Sequence, residues 1–151
     1  MPEVMAGAKA PDFSVETDQG PMSLSDLLER GKLVLAFYYE DMTPTCSTQV
    51  SSLKEGFDTF EEMGATVLAV SSDSLESHKL FYDRLGGVPF PLASDTDLAL
   101  ARAYGVVDES GKRARRAVFV IDADGTVLLA LPQYNPANLS QFEQVFTALG
   151  A

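Results

Sequence analysis

The chain is predicted to be an α/β protein with a mixed central sheet and helices on both faces, and three stretches carry that expectation. "KLVLAFYY" (32–39) is a continuous apolar run, the pattern of a strand covered on both sides. "TPTCSTQVSSLKEGFDTFEEMG" (43–64) places Val50, Leu53, Phe57, Phe60 and Met63 at helical spacing. "RAVFVIDADGTVLLAL" (116–131) holds two apolar runs around an Asp-Gly turn, which predicts a β-hairpin. Strands alternating with helices in this way build a layered α/β architecture.

Each element has a local cause. "DFSVETDQGPMSLSDLL" reads as a strand, an Asp-Gln-Gly turn, a short second strand and a helix begun at Ser23 or Ser25. After the 32–39 strand, Thr43 is an N-cap candidate, Pro44 suits the first helical position, and Gly64 ends the helix. Cys46 therefore falls in the first turn of a long helix, just past a central strand. "ATVLAVSSD" is a second buried strand, and "SLESHKLFYDRLGG" is a helix closed by Gly86. "PFPLASD" reads as a proline-punctuated loop, and "DTDLALARAYG" as a helix under an Asp/Thr cap. "LSQFEQVFTALG" closes with a helix from Ser140. The expected order is β-β-α-β-α-β-α-α-β-β-α. With no linker, repeat or low-complexity tract, residues 1–151 are expected to form a single domain.

Composition excludes several classes of function. Eleven basic against 22 acidic residues give a net charge of −11, which argues against nucleic acid or an anionic membrane surface as partner. The apolar runs are too short to span a bilayer. The first residues lack a basic segment followed by an apolar run, so no secretory leader is expected. A lone cysteine suits a reducing compartment, and a cytoplasmic location is the expectation. The basic cluster "GKRARRAVFV" reads as a solvated turn at Lys112 and Arg113, whereas Arg116 stands at the strand itself.

One cysteine cannot form an internal disulfide, so Cys46 is either an inert buried thiol or a nucleophile. Only a thiolate is a good nucleophile, and free cysteine ionises near pH 8.5. The N-terminal end of a helix and a nearby cation both favour the thiolate. Neighbouring strand ends converge on one crevice in open α/β sheets, which would let Arg116 supply that cation. The residues alone leave both readings open. The only histidine, His78 in "LESHKLF", reads as surface helix instead of the base of a Cys-His pair. One Cys and one His are too few soft ligands for a metal site. The carboxylates of "DADG" are explained by hairpin chemistry.

"FYYEDMTPTCSTQ" resembles the active-site segment of the peroxiredoxins, P-x-x-x-T-x-x-C, in the TPxC form of the bacterioferritin-comigratory (PrxQ) and AhpE-like branches. Further stretches, "AGAKAPDFSVETDQGPMSLSDLLERGKLVLAFYY", "VSSDSLESHKLFYDRLGGVPFPLASD" and "RRAVFVIDADGTV", extend the resemblance over nearly the whole chain. It implies a thioredoxin-like fold with an N-terminal β-hairpin extension, and a cofactor-free thiol-dependent peroxidase acting on hydrogen peroxide or organic hydroperoxides. Cys46 matches the peroxidatic cysteine, Thr43 the threonine three positions earlier, and Arg116 the arginine before the "FVID" strand, with Arg115 the rival one position away. Pro44, Thr45, Gln49 and Tyr39 are the residues implied around the peroxide. Tyr39 departs from the pattern, standing where the family has proline. Resolving cysteines are missing too: Ser51 and Tyr82 occupy positions where relatives carry them. The resemblance therefore implies a one-cysteine type reduced by an external thiol: thioredoxin, glutaredoxin or a low-molecular-weight thiol. Monomer or homodimer is expected. Tyr39 also motivates an alternative, a thioredoxin-like redox-sensing or binding module with weak peroxidase activity.

Overall fold

The computed structural model describes residues 4–150. The two short strands β1 (Ser14–Thr17) and β2 (Gly20–Ser23) form an antiparallel hairpin and lead into helix α1 (Leu24–Leu28). Ser23 is the N-cap: its hydroxyl accepts from the Asp26 amide while the Asp26 carboxylate accepts from the Ser23 amide. Strand β3 (Lys32–Phe37), helix α2 (Pro44–Glu62), strand β4 (Ala65–Ser71) and helix α3 (Leu75–Arg84) follow. Next come strand β5 (Leu92–Ser94), helix α4 (Ala99–Ala103), the antiparallel strands β6 (Ala117–Ile121) and β7 (Val127–Leu131), and helix α5 (Leu139–Ala148).

The described strands join in the order β2-β1-β5-β4-β3-β6-β7. Strands β3, β4 and β5 run parallel, whereas β1 and β6 pair antiparallel with β5 and β3. The sheet is therefore mixed, as the sequence predicts. Strand alternation sorts the core into two layers. Leu33, Leu35 and Phe37 of β3 point with Phe119 and Ile121 of β6 toward α1 and α4. Val34 and Ala36 point with Val118 and Val120 toward α2, α3 and α5. Helices thus cover both faces, and a strand buried on both sides explains the unbroken apolar run at 32–37.

One expectation is corrected. The 89–95 segment is not a loop throughout, because Leu92–Ser94 pair with both β4 and β1. Helix α4 starts under aspartate caps, as expected: the Asp97 carboxylate accepts from the Ala99 amide at 3.1 Å. Leu98 at the N-cap is left-handed, and the Asp95 carboxylate accepts from the Leu100 and Ala101 amides.

Candidate active site

The register of the sheet assembles the site. Phe37, the last residue of β3, lies opposite Ala117, the first of β6, and beside Val70 of β4. The segments just past these strand ends, 38–43, 72–74 and 113–116, therefore converge on one rim of the sheet. The crevice at the carboxyl ends of parallel strands is where α/β proteins gather their functional groups.

Cys46 occupies the third position of α2 and is fully buried. The backbone N–H of Tyr39 donates to its Sγ at 3.2 Å, so the sulfur has a donor suited to negative charge. Pro44 takes the first helical position, as predicted. Thr43 is the N-cap residue, but its hydroxyl does not cap the helix. It donates to the Glu40 carbonyl at 2.9 Å, closing the turn before the helix. The first-turn amides are thereby left without a side-chain partner. Met42, just upstream, holds a left-handed backbone (φ 69°), a conformation that costs a non-glycine residue about 1 kcal/mol or more.

The other expected residues separate into two groups. Pro44 and Thr45 are exposed beside the buried sulfur, and Tyr39 lies beyond the end of β3 with an exposed side chain. Gln49 turns inward: its amide donates to the Phe37 carbonyl at 3.1 Å, and its Oε1 is buried without a partner among the described residues. Arg116 is half-buried, and its carbonyl accepts from the Tyr134 amide at 2.8 Å. Its side chain shares with that of Tyr39 a hollow of about 420 Å³, lined also by Asp108, Arg115, Gln133, Tyr134 and Asn135.

His78 is not a surface residue, contrary to the expectation from its helix. It is completely buried, with Nδ1 2.7 Å from Asp41 Oδ2 and Nε2 2.8 Å from the Ala93 carbonyl. A carbonyl only accepts, so Nε2 carries a proton. Asp41 already accepts from the Tyr38 hydroxyl at 2.5 Å and the Ser77 hydroxyl at 2.8 Å, so Nδ1 donates as well. The ring is an imidazolium facing a carboxylate. Burial alone would lower the His78 pKa, but the hydrogen bond and charge of Asp41 outweigh it and raise it above its usual value. The Tyr38 phenol is held neutral by burial and by the same carboxylate.

Arg113 departs from the solvated-turn reading. It donates to Asp73 at 3.0 Å, lies 3.8 Å from Glu40 and sits 6.0 Å from the centre of the Tyr39 ring. Asp73 in turn accepts from the Asp41 amide at 2.8 Å. The segment 38–43 is thus tied to α3 through Asp41 and His78, and to the β6 approach through Asp73 and Arg113. No sequence spacing marks this network, because its acid and its base are 37 residues apart.

A lone thiol in the first turn of the helix that follows a central strand of a mixed sheet defines a thioredoxin-like thiol protein. The AhpC/TSA family pattern matches residues 6–130. A peroxiredoxin of Thermoplasma volcanium is 36% identical over 154 residues, covering 97% of this chain and 75% of that protein. A putative peroxiredoxin bcp of Coxiella burnetii is 34% identical over 136 residues, covering 86% and 89%. Among solved structures, peroxidoxin BcpB from Mycobacterium tuberculosis superposes with a TM-score of 0.87 at 28% identity over 97% of both chains. The chain belongs to the AhpC/TSA family, the peroxiredoxins, and is a thiol-dependent peroxidase whose single cysteine fits the one-cysteine type.

Proposed function

We propose that Cys46 is the peroxidatic residue, reducing hydrogen peroxide or organic hydroperoxides, and that an external thiol completes the cycle. The observation that carries this is the Tyr39 N–H directed at a buried Sγ in the first turn of α2. In the first half-reaction the thiolate attacks one peroxide oxygen and the O–O bond breaks. The departing oxygen takes a proton and leaves as water or alcohol. Sulfur gives up two electrons and becomes a sulfenic acid.

In this reading the other expected residues take supporting roles. Arg116, at the rim beside Tyr39, meets charge developing along the O–O bond. Thr43, its hydroxyl proton committed to Glu40, keeps its oxygen free to accept from a peroxide O–H. The uncapped amides of Thr45 and Cys46 orient the second oxygen, while Pro44 fixes the turn without a donor of its own. Gln49 steadies the end of β3 through Phe37. In this reading residues 1–151 work as one domain in the cytoplasm, as monomer or homodimer, without nucleic acid or membrane as partner. Thioredoxin, glutaredoxin or a small thiol supplies the electrons.

The test is to mix reduced protein with one equivalent of peroxide, trap the product with a dimedone-type probe and time the reaction. Cys46→Ser should be inert. Arg116→Ala should slow sulfenic acid formation by about a hundredfold or more, as the loss of an oxyanion donor does, whereas Arg115→Ala should not. Wild-type protein reacting no faster than free cysteine would sink the peroxidase assignment of Cys46 in favour of a slow redox-sensing module.

A further inference from the structure

We infer that His78 is a positioning residue of the peroxidase reaction: through Asp41 it holds the turn whose Tyr39 amide is aimed at Sγ. This rests on the peroxidase reading of Cys46 and adds to it a residue that acts on the sulfur through another. The Tyr39 N–H donates to Sγ at 3.2 Å, so whatever fixes that peptide fixes the donor that the sulfur receives.

The turn is held on both sides of that amide. Before it, the Tyr38 N–H donates to the Val70 carbonyl at 2.9 Å and the Tyr38 hydroxyl to Asp41 Oδ1 at 2.5 Å. After it, the Asp41 N–H donates to Asp73 at 2.8 Å. The side-chain bond from Tyr38 to Asp41 thus closes a short loop of chain with the Tyr39 amide inside it. The other oxygen, Asp41 Oδ2, accepts from the Ser77 hydroxyl at 2.8 Å and from His78 Nδ1 at 2.7 Å. His78 is the one cation on this carboxylate among the described residues. Its Nε2 donates to the Ala93 carbonyl of β5 at 2.8 Å, so the ring cannot turn without breaking a bond at each end. Contacts therefore run unbroken from β5 through α3 and the turn to Sγ.

A buried ion pair is a poor source of net stability, because desolvating both charges offsets most of their attraction and apolar side chains of similar volume do as well. What this pair supplies is one geometry. A carboxylate with three directed donors has a single orientation, whereas an apolar cluster in its place would leave the turn free to rotate its amides. Tyr38, Asp41 and His78 are all buried, so water does not compete for these bonds. The groups facing the ring are Tyr38 at the end of β3, Asp41 on the turn, Ser77 on its own helix and the Ala93 carbonyl. Asp73, from the loop after β4, adds its charge and is itself engaged by Arg113 at 3.0 Å. Because Nε2 faces a carbonyl and keeps its proton, Nδ1 is the atom that loses one at high pH. It then turns a lone pair toward a carboxylate oxygen, and the repulsion loosens Asp41 and the turn.

The experiment times sulfenic acid formation with a dimedone-type probe, at a temperature where circular dichroism shows each protein to be folded. The amide nitrogen of asparagine falls near the place of Nδ1, and that of glutamine near the place of Nε2. His78→Asn therefore keeps a donor to Asp41, and His78→Gln does not. His78→Gln should slow the reaction by about tenfold, as the loss of one hydrogen bond to a charged group does, and His78→Asn by less than about threefold. In Tyr39→Pro protein, which has no amide to aim, His78→Gln should slow it further by less than about twofold. Equal loss in the Asn and Gln variants, or the full loss on the proline background, makes His78 a structural residue alone and overturns the proposal. Wild-type protein that forms no sulfenic acid overturns the peroxidase reading instead. A measurement that leaves His78 in place follows the Tyr39 amide resonance of Cys46→Ser protein from about pH 6 to about pH 9, alongside the His78 ring carbons. The amide should move in step with the ring. An amide that stays put over that range overturns the proposal even where no His78 variant folds.

Discussion

Tyr39 replaces the proline of the peroxiredoxin motif, and the structure separates what its backbone does from what its ring does. The backbone supplies an N–H to Sγ that proline has no hydrogen to make. The ring lies against Arg113 and forms a wall of the hollow. Tyr39→Phe preserves both contributions and should change the rate of sulfenic acid formation by less than about twofold. Tyr39→Pro removes the donor. Hydrogen bonds to charged groups contribute about 1.5–3 kcal/mol, so the rate at neutral pH should fall by about tenfold or more in stopped-flow peroxide assays. An accelerated proline variant would mean that the bulk of the tyrosine ring obstructs peroxide more than its amide helps.

At the scale of elements, α3 acts on the site from below through His78. The imidazolium stabilises the buried Asp41 carboxylate, and Asp41 anchors the 38–43 segment. Removing one member of a buried pair leaves the other uncompensated, so His78→Gln should lower stability by about 3–5 kcal/mol. The pH dependence has a definite sign. His78 has a raised pKa when folded, so the folded state holds its proton more tightly than the unfolded chain. Its contribution is complete below the unfolded pKa of about 6.5 and is lost as pH rises through the folded value. Urea midpoints measured from about pH 6 to about pH 9 should decline for the wild type, and the His78→Gln variant should lack that limb.

The same helix shows what could and could not be read in advance. Strand β3 and helix α2 were legible because long periodic segments announce themselves: Val50, Leu53, Phe57 and Phe60 face the core as their spacing requires. Pro44 and the placement of Cys46 followed from helix-start chemistry. Strand β5 was not legible, since Pro89 and Pro91 come just before three residues that are extended only because β4 and β1 lie on either side. His78 was hidden for a related reason. A polar residue on a helix is exposed unless a partner exists, and its partner comes from a different element. Arg113 likewise needed the fold to bring Asp73 and Glu40 to it.

Across the whole molecule, the two ends of the sheet carry different burdens. The rim past Phe37, Ser71 and before Ala117 holds the thiol, the arginines and a left-handed Met42. The opposite rim holds backbone closures: Lys32 donates its amide to the Gly64 carbonyl at 2.9 Å and its ammonium to the Leu149 carbonyl at 3.2 Å, locking α2 and α5 to the start of β3. Gly31 lies at that closure with φ +122°, and a Cβ there would stand 2.2 Å from the Gly64 oxygen, which is backbone and cannot turn aside. Gly31→Ala must therefore open the closure or distort its own backbone, at a cost of about 2 kcal/mol or more. Because the closure lies at the far end of β3 from Cys46, sulfenic acid formation at a temperature where the variant remains folded should match the wild type. Thermal unfolding should occur at a lower temperature. A Gly31→Ala protein that unfolds normally but reacts slowly would show that strain at the closing rim reaches the thiol, and that stability and reactivity are not divided between the two ends of the sheet.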